Sequence, residues 1–320
     1  MKGRTEPRIY TRPLRELTED TSLGFLCIKY AETILGENLY PWQKWALIHA
    51  LEIEGDLLAD WRFRFRMVLF MIARQNGKTV LSYIIASFFM NVLEVPSIFG
   101  TSLSLDKAEE VWESVIAAQQ KNPDLVKRID RVARTNGNKR LILKNGSSYK
   151  VGAPTRRAGR GDSNDLVLLD EVREQRDFEV LSAAAASTNA KPNGLIVCFS
   201  NAGDPDSVVL RQLRSQAIAN IEGGTAANFG GDVDGLVVKD HAYDVETRLW
   251  VWQFEVAGLV DKDAQGSSAH SLPNKKREWR DANLATHAES FPRIPVTPTA
   301  RRRSGIILAN RRAWRKGGAK

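Results

Sequence analysis

An apolar run, Val68-Leu-Phe-Met-Ile72, gives way to a short polar loop that closes on Gly77-Lys78-Thr79, and residues 80–93 are then apolar on nearly every side. A buried strand turning through Gly-Lys-Thr straight into a buried helix allows few folds. The first N–H groups of such a helix have no intrahelical partner and point back at the turn. The turn is therefore a candidate phosphate cradle. Gly77 would let the backbone approach a polyphosphate closely, Lys78 would bring a compact charge to the β- and γ-phosphates, and the Thr79 hydroxyl would ligate Mg²⁺. The full phosphate-loop pattern has a glycine five positions before Gly77, where this chain has Ile72. The competing reading of this segment alone is an exposed turn that opens a core helix.

A second run, Leu166-Val-Leu-Leu-Asp170-Glu171, has the same buried-strand composition and ends in adjacent carboxylates. Strand alternation sends Asp170 and Glu171 in different directions, so one can hold Mg²⁺ while the other faces a nucleophile. We assign Asp170 to the metal and Glu171 to polarising an attacking water. The alternative is a solvated start to the next helix, where acids favour the N-terminal dipole.

A third run, Leu195-Ile-Val-Cys-Phe-Ser200-Asn201-Ala202-Gly203, ends in small polar residues that could reach a γ-phosphate or its water. Three apolar strands, each with polar chemistry at its carboxyl end and each followed by a helix-like segment, predict an α/β fold. In open sheets of that kind ligands bind at the carboxyl ends of the strands.

Together Arg74-Gln-Asn-Gly77-Lys78-Thr79, Leu-Val-Leu-Leu-Asp170-Glu171 and Ser200-Asn201-Ala202 resemble, in order and spacing, the three ATPase motifs of tailed-bacteriophage terminase large subunits. In that family the first loop glycine is commonly missing and an arginine lies within the loop. The resemblance covers about residues 23–222. It implies a P-loop NTPase with a mainly parallel sheet flanked by helices, ATP and Mg²⁺ as cofactors, and hydrolysis coupled to translocation of double-stranded DNA. On this resemblance Gln75, Asn76, Gly77, Lys78 and Thr79 hold the nucleotide, Arg74 adds charge at the transferring phosphoryl group, and Ser200, Asn201 and Ala202 couple hydrolysis to DNA movement. The segment Tyr40-Pro41-Trp42-Gln43-Lys44-Trp45 resembles the family's adenine-side segment, in which a Gln reads the base edge. The competing reading is a Trp-rich core helix. A homo-oligomeric ring, a portal protein and a small terminase subunit are the implied partners.

Arg156-Arg157-Ala-Gly159-Arg160-Gly161 precedes the acidic strand, as an arginine-glycine segment does in that family. A guanidinium there, Arg160 ahead of Arg157, could spread transition-state charge on a neighbouring subunit's ATP. A DNA-backbone contact and a solvated loop are the other readings of the same residues.

At 320 residues and 43% hydrophobic content the chain can bury a sizeable core. Cys27 and Cys198 are far apart and outside any Cys-x-x-Cys pattern, which argues against disulfide scaffolding and zinc. The start is polar, and the 80–93 segment is interrupted by Ser82, Ser87 and Asn91, so no membrane crossing is expected and a reducing host cytoplasm is implied. Net charge is +8, yet residues 261–320 hold 14 basic against 5 acidic side chains while the rest hold 32 against 33. All of the excess sits in that tail, which can offer sequence-independent attraction to phosphate.

The chain divides on this reading into a polar lead (1–22), a P-loop ATPase domain (23–222), a linker with a short strand-like segment (223–260) and a basic, disordered, poorly organised C-terminal tail (261–320). Within it, helical spacing runs from Leu105 to Gln120, and Asn145-Gly146 marks a hairpin between alternating segments. Complete terminase large subunits resemble this ATPase followed by a nuclease domain, for which too few residues remain here. The expectation is a truncated, frame-altered or split product, with endonuclease activity doubtful in this chain. Two other classes fit the same residues: a helicase-like or other P-loop translocase, and a catalytically idle fragment binding nucleic acid through its basic tail.

Overall fold

The three uniform apolar runs are strands buried on both faces, and that double burial sets the architecture. A computed structural model of the chain describes residues 7, 9–73, 75–135, 137–153, 163–204, 206–221 and 249–254. In chain order the elements are β1 (Ile9–Tyr10), α1 (Gly24–Thr33), α2 (Pro41–Ala50), β2 (Ile53–Glu54), β3 (Arg62–Phe63), β4 (Met67–Ile72), α3 (Lys78–Asn91), β5 (Ser97–Thr101), α4 (Leu105–Gln120), α5 (Pro123–Arg128), β6 (Ile129–Ala133), β7 (Arg140–Leu143), β8 (Ser148–Val151), β9 (Leu166–Leu169), α6 (Glu179–Thr188), β10 (Leu195–Ser200), α7 (Val208–Ile221) and β11 (Leu249–Phe254). The main sheet has nine described strands in the order β1-β11-β4-β10-β9-β5-β8-β7-β6. The run from β11 to β8 is parallel throughout, with β1 antiparallel at one edge and the β7–β6 hairpin antiparallel at the other.

Strand alternation divides each central strand between two cores. Val68, Phe70 and Ile72, with Leu166, Leu168, Leu195, Val197 and Phe199, face the larger core, which α1 to α4 cover. Leu69 and Met71, with Val167, Leu169, Ile196 and Cys198, face the smaller one, closed by Val180, Leu181 and Ala184 of α6 and Val209, Leu210 and Leu213 of α7. Helices on both faces of a parallel sheet leave no strand face for water, which is why these strands read as continuous apolar runs. Phe70 and Phe199 stack across β4 and β10 at 5.3 Å between ring centroids. Cutting either to alanine would remove about 3–5 kcal/mol of stability.

Local signals explain the helices. Ser104 caps α4, its Oγ accepting the Lys107 N–H, and Ala108, Val111, Trp112, Val115 and Ile116 form the buried stripe at helical spacing. Pro41 opens α2 with a fixed φ. Helix α3 is buried from Leu81 to Asn91 and stops where Glu94 takes a left-handed φ of 54° ahead of Pro96. Asn145-Gly146 turns the β7–β8 hairpin as expected, with Gly146 at φ 90°.

Several elements escaped sequence reading. Ile9–Tyr10, inside the stretch read as a polar lead, is an edge strand paired with β11. Leu249–Phe254, read as a strand-like piece of a linker, pairs in parallel with β4 and so extends the same sheet. β2, β3 and α5 gave no signal because two-residue strands and a six-residue helix are too short to show a period, and β6 gave none because it is an edge strand with Asp130 and Arg131 exposed side by side. The basic tail, with residues 222–248, lies outside the described residues.

Candidate active site

Topology, more than any one motif, assembles the site. β10 lies between β4 and β9, with Cys198 level with Leu69 on one side and Leu169 on the other. The three chemistry-bearing carboxyl ends are therefore adjacent, although β4 ends at Ile72, β9 at Leu169 and β10 at Ser200.

The turn after β4 enters α3 through Gly77, the helix N-cap, at φ 88° and ψ 29°. Gly77 has no side chain to cap this end, so the first N–H groups of α3 are not satisfied by a side chain at the N-cap. Gln75 is also left-handed, at φ 61°, and the Asn76 amide donates to the Ala73 carbonyl at 3.1 Å, which ties the loop to itself. Thr79 is exposed at the helix start. Lys78 turns across the gap, and its Nζ lies 3.0 Å from Glu171 Oε1.

Glu171 sits at φ 52°, ψ 46°, a left-handed conformation that costs a side chain with a Cβ roughly 1 kcal/mol or more. Its neighbours hold it there. Val172 is fully buried in the smaller core, and the Glu174 N–H closes a 3-10 turn onto the Glu171 carbonyl at 2.9 Å. Glu171 Oε2 accepts the Arg173 Nε–H at 3.1 Å, and the Asn201 amide nitrogen approaches both carboxylate oxygens at 3.4–3.5 Å. Burial pushes the Glu171 carboxyl upward, but the charge and hydrogen bond of Lys78, joined by those of Arg173, outweigh it and leave the group below the usual carboxylate value. Asp170 differs. Burial raises it above the usual value against the pull of the Lys78 charge, and its Oδ1 accepts the Glu171 N–H at 2.9 Å.

The structure thus brings Lys78, Asp170, Glu171, Ser200 and Asn201 to one sheet edge. Ser200 Oγ accepts the Arg173 N–H at 3.2 Å and donates to the Asn201 carbonyl at 2.9 Å, so the third run is wired to the segment behind Glu171. Ala202 is exposed beyond them. Gln43, from α2, is 1% exposed and reaches the Gly77 carbonyl. Arg74, Arg157 and Arg160 lie outside the described residues.

Sequence reasoning missed Arg173, which lies in a short 3-10 turn past the apolar run whose end drew attention to the two acids. It also missed Thr101 and Ser102 at the end of β5. Their hydroxyls, like Asn201 Oδ1, are buried with no hydrogen-bond partner among the described residues, and the Thr101 carbonyl accepts the Asp170 N–H at 3.0 Å.

These residues fit a magnesium-bound triphosphate. Orphaned polar atoms line the carboxyl ends of β5 and β10 and can take water or ligand oxygens. The uncapped start of α3 supplies N–H donors, and a lysine and a hydroxyl stand at its first two positions. No group of three or more His, Cys, Asp or Glu side chains among the described residues could hold a metal by itself. An ion here would be held by Thr79 and Asp170 together with phosphate and water oxygens, the usual habit of Mg²⁺.

No protein-family model matches the chain, and no curated protein matches it. Among solved structures, the large terminase of bacteriophage HK97 superposes with a TM-score of 0.54 at 22% identity, over 93% of this chain and 53% of that one. The chain shares its fold with that large terminase. It spans about half the length of the HK97 protein. The large terminase ATPase domain of Thermus phage P74-26 aligns at a TM-score of 0.40 and 16% identity, over 68% of this chain and 86% of that one. The large terminase of the thermophilic bacteriophage D6E, in complex with ADP, aligns at 0.34 and 11%, over 43% and 33%. No described helix is long and apolar enough to cross a membrane.

Proposed function

We propose that this chain hydrolyses Mg-ATP at the carboxyl edge of its sheet, and that hydrolysis drives double-stranded viral DNA through a packaging motor in the host cytoplasm. The observation that carries the first half is the 3.0 Å contact between Lys78 Nζ and Glu171 Oε1, which joins the Gly-Lys-Thr turn to the acidic strand across 93 residues of sequence. The second half is supported by the fold shared with the HK97 large terminase.

Lys78 and the N–H groups of residues 75–79 bind the β- and γ-phosphates, and Thr79 and Asp170 hold the metal. Bound Mg²⁺ supplies charge neutralisation across the phosphate oxygens. Once Lys78 turns to phosphate, Glu171 is left with Arg173 and Asn201. It then orients and polarises the attacking water. Arg74 and Arg160 stabilise charge on the transferring phosphoryl group, Arg160 in a neighbouring subunit of a homo-oligomeric ring. Ser200, Asn201 and Ala202 report the state of Glu171 to the DNA-moving surface. A portal protein and a small terminase subunit complete the assembly.

The test is ATP turnover by the purified chain with and without double-stranded DNA, alongside Lys78→Ala. Turnover stimulated by DNA and lost in the variant is the expected result. Retained DNA-stimulated turnover in Lys78→Ala sinks the assignment, and strand separation on forked DNA moves the chain to the helicase-like class.

A further inference from the structure

The placement of Gln43 departs from the role its resemblance implies. Both ends of its amide are engaged inside the protein. Oε1 accepts the Tyr40 N–H at 2.9 Å across the first turn of α2, and Nε2 donates to the Gly77 carbonyl at 3.4 Å. That carbonyl also accepts the Leu81 N–H at 3.3 Å, as the first acceptor of α3. Two donors from different elements thus bear on one peptide plane.

The plane matters because a trans peptide points its carbonyl and its N–H in opposite directions. Turning the Gly77 oxygen into the helix and toward Gln43 sends the Lys78 N–H outward past the helix start, where an anion would meet it. Gly77 is constrained twice over. Its φ of 88° disfavours a side chain, and a Cβ there would come within 2.8 Å of Gln43 Nε2. The glutamine amide therefore occupies the space that the glycine leaves open.

We propose that Gln43 is a positioning residue for the phosphate loop, acting on the triphosphate through the Gly77 peptide and not by hydrogen-bonding the adenine edge. The inference rests on the nucleotide-site reading given above. The remaining lone pair and N–H of the amide are enclosed with the rest of a side chain that is 1% exposed, and swinging the amide out to meet a base would strip the cap from α2 and release Gly77. Holding the peptide in place before the ligand arrives removes part of the ordering that binding would otherwise require.

Equilibrium binding of Mg-ATP, Mg-GTP and inorganic tripolyphosphate to the full chain and to Gln43→Met separates the two roles. Loss of one hydrogen bond should weaken all three ligands together by about three- to tenfold, with the ATP-to-GTP ratio unchanged. Should Gln43→Met fail to fold, Gln43→Glu retains an acceptor for the Tyr40 N–H but has no donor for Gly77, and the same parallel weakening is expected. A collapsed ATP-to-GTP ratio with tripolyphosphate binding intact would make Gln43 a base reader and overturn the inference. Unchanged affinity for all three ligands, with a lowered melting temperature, would make it a helix cap alone and overturn it as well. A wild-type chain that binds none of the three sinks the nucleotide site itself, and this inference with it.

Discussion

Two ion pairs involving a glutamate sit at opposite levels of enclosure in this molecule. Arg64 and Glu52 meet at 2.6 Å with both side chains 2% exposed. Arg64 also donates to the Arg12 carbonyl at 2.8 Å, and Glu52 accepts the Leu14 N–H at 3.0 Å, so this pair fastens the N-terminal segment to β2. Lys78 and Glu171 meet at 3.0 Å with 11% and 22% exposure, beside orphaned hydroxyls and a left-handed backbone. The carboxyl values move in opposite directions. Burial raises Glu52 despite Arg64, whereas at Glu171 the cations prevail over burial. An enclosed pair that also holds backbone groups of the N-terminal segment is a clamp. In the function proposed above, the lysine of the half-open pair exchanges its carboxylate for phosphate, beside a Glu171 backbone held in a left-handed conformation.

The largest effect should come from the half-open pair. Glu171→Gln should lower ATP turnover by roughly 10²–10⁴-fold while leaving the melting temperature near that of the parent, and steady-state kinetics with thermal melting check both. If turnover is retained, Glu171 is only a structural partner of Lys78 and the contrast disappears.

Breaking the enclosed pair should do the reverse. Arg64→Ala leaves a buried carboxylate and should remove about 3–5 kcal/mol of stability, whereas a double change of Arg64→Met and Glu52→Leu should recover much of that loss. Urea titration measures the difference, and the ATPase rate per folded molecule should stay unchanged.

The region of α2 beside this clamp should also respond to acid. His49 stacks on Trp45 at 3.5 Å and donates Nδ1–H to the Trp45 carbonyl, and burial lowers its value from 6.5 to about 4. A histidine held neutral in the fold takes up its proton more readily when unfolded, so stability is full above 6.5 and declines as pH falls toward 4. The expected decline is on the order of 1–3 kcal/mol, and His49→Gln should flatten it in melts taken across that window. An unchanged slope would show that the region is more open than its packing indicates.

The smallest effect calibrates the scale. Lys107 and Glu110 pair at 2.6 Å on α4 with 55% and 62% exposure. Exposed pairs of this kind contribute little, so Lys107→Ala should leave the melting temperature within experimental error.

The parts that could be read from the sequence share one property, which is that their signal is local. The runs at β4, β9 and β10 stood out because burial on both faces makes every position apolar. Helix α4 followed from its spacing, and the β7–β8 hairpin from Asn145-Gly146. Lys78, Asp170 and Glu171 stood at the ends of those runs, so their identity as candidates needed no coordinates. Arg173 and Thr101 could not be found that way, because each matters only through a neighbour on another strand or turn. Gln43 was singled out from its surroundings on α2, and its actual partner, Gly77, is 34 residues away.

By itself the sequence determined which segments are buried strands, where the glycine turn into α3 falls, and which polar residues end each strand, since burial and turn chemistry are written in runs of a few residues. Only the tertiary structure decided that β10 lies between β4 and β9, that Lys78 meets Glu171 and not Asp170, that Arg64 and Glu52 form the enclosed clamp, and that Gln43 turns toward the phosphate loop. Those choices depend on strand order and on which side chain fills a given gap, and both are set by packing the whole chain at once.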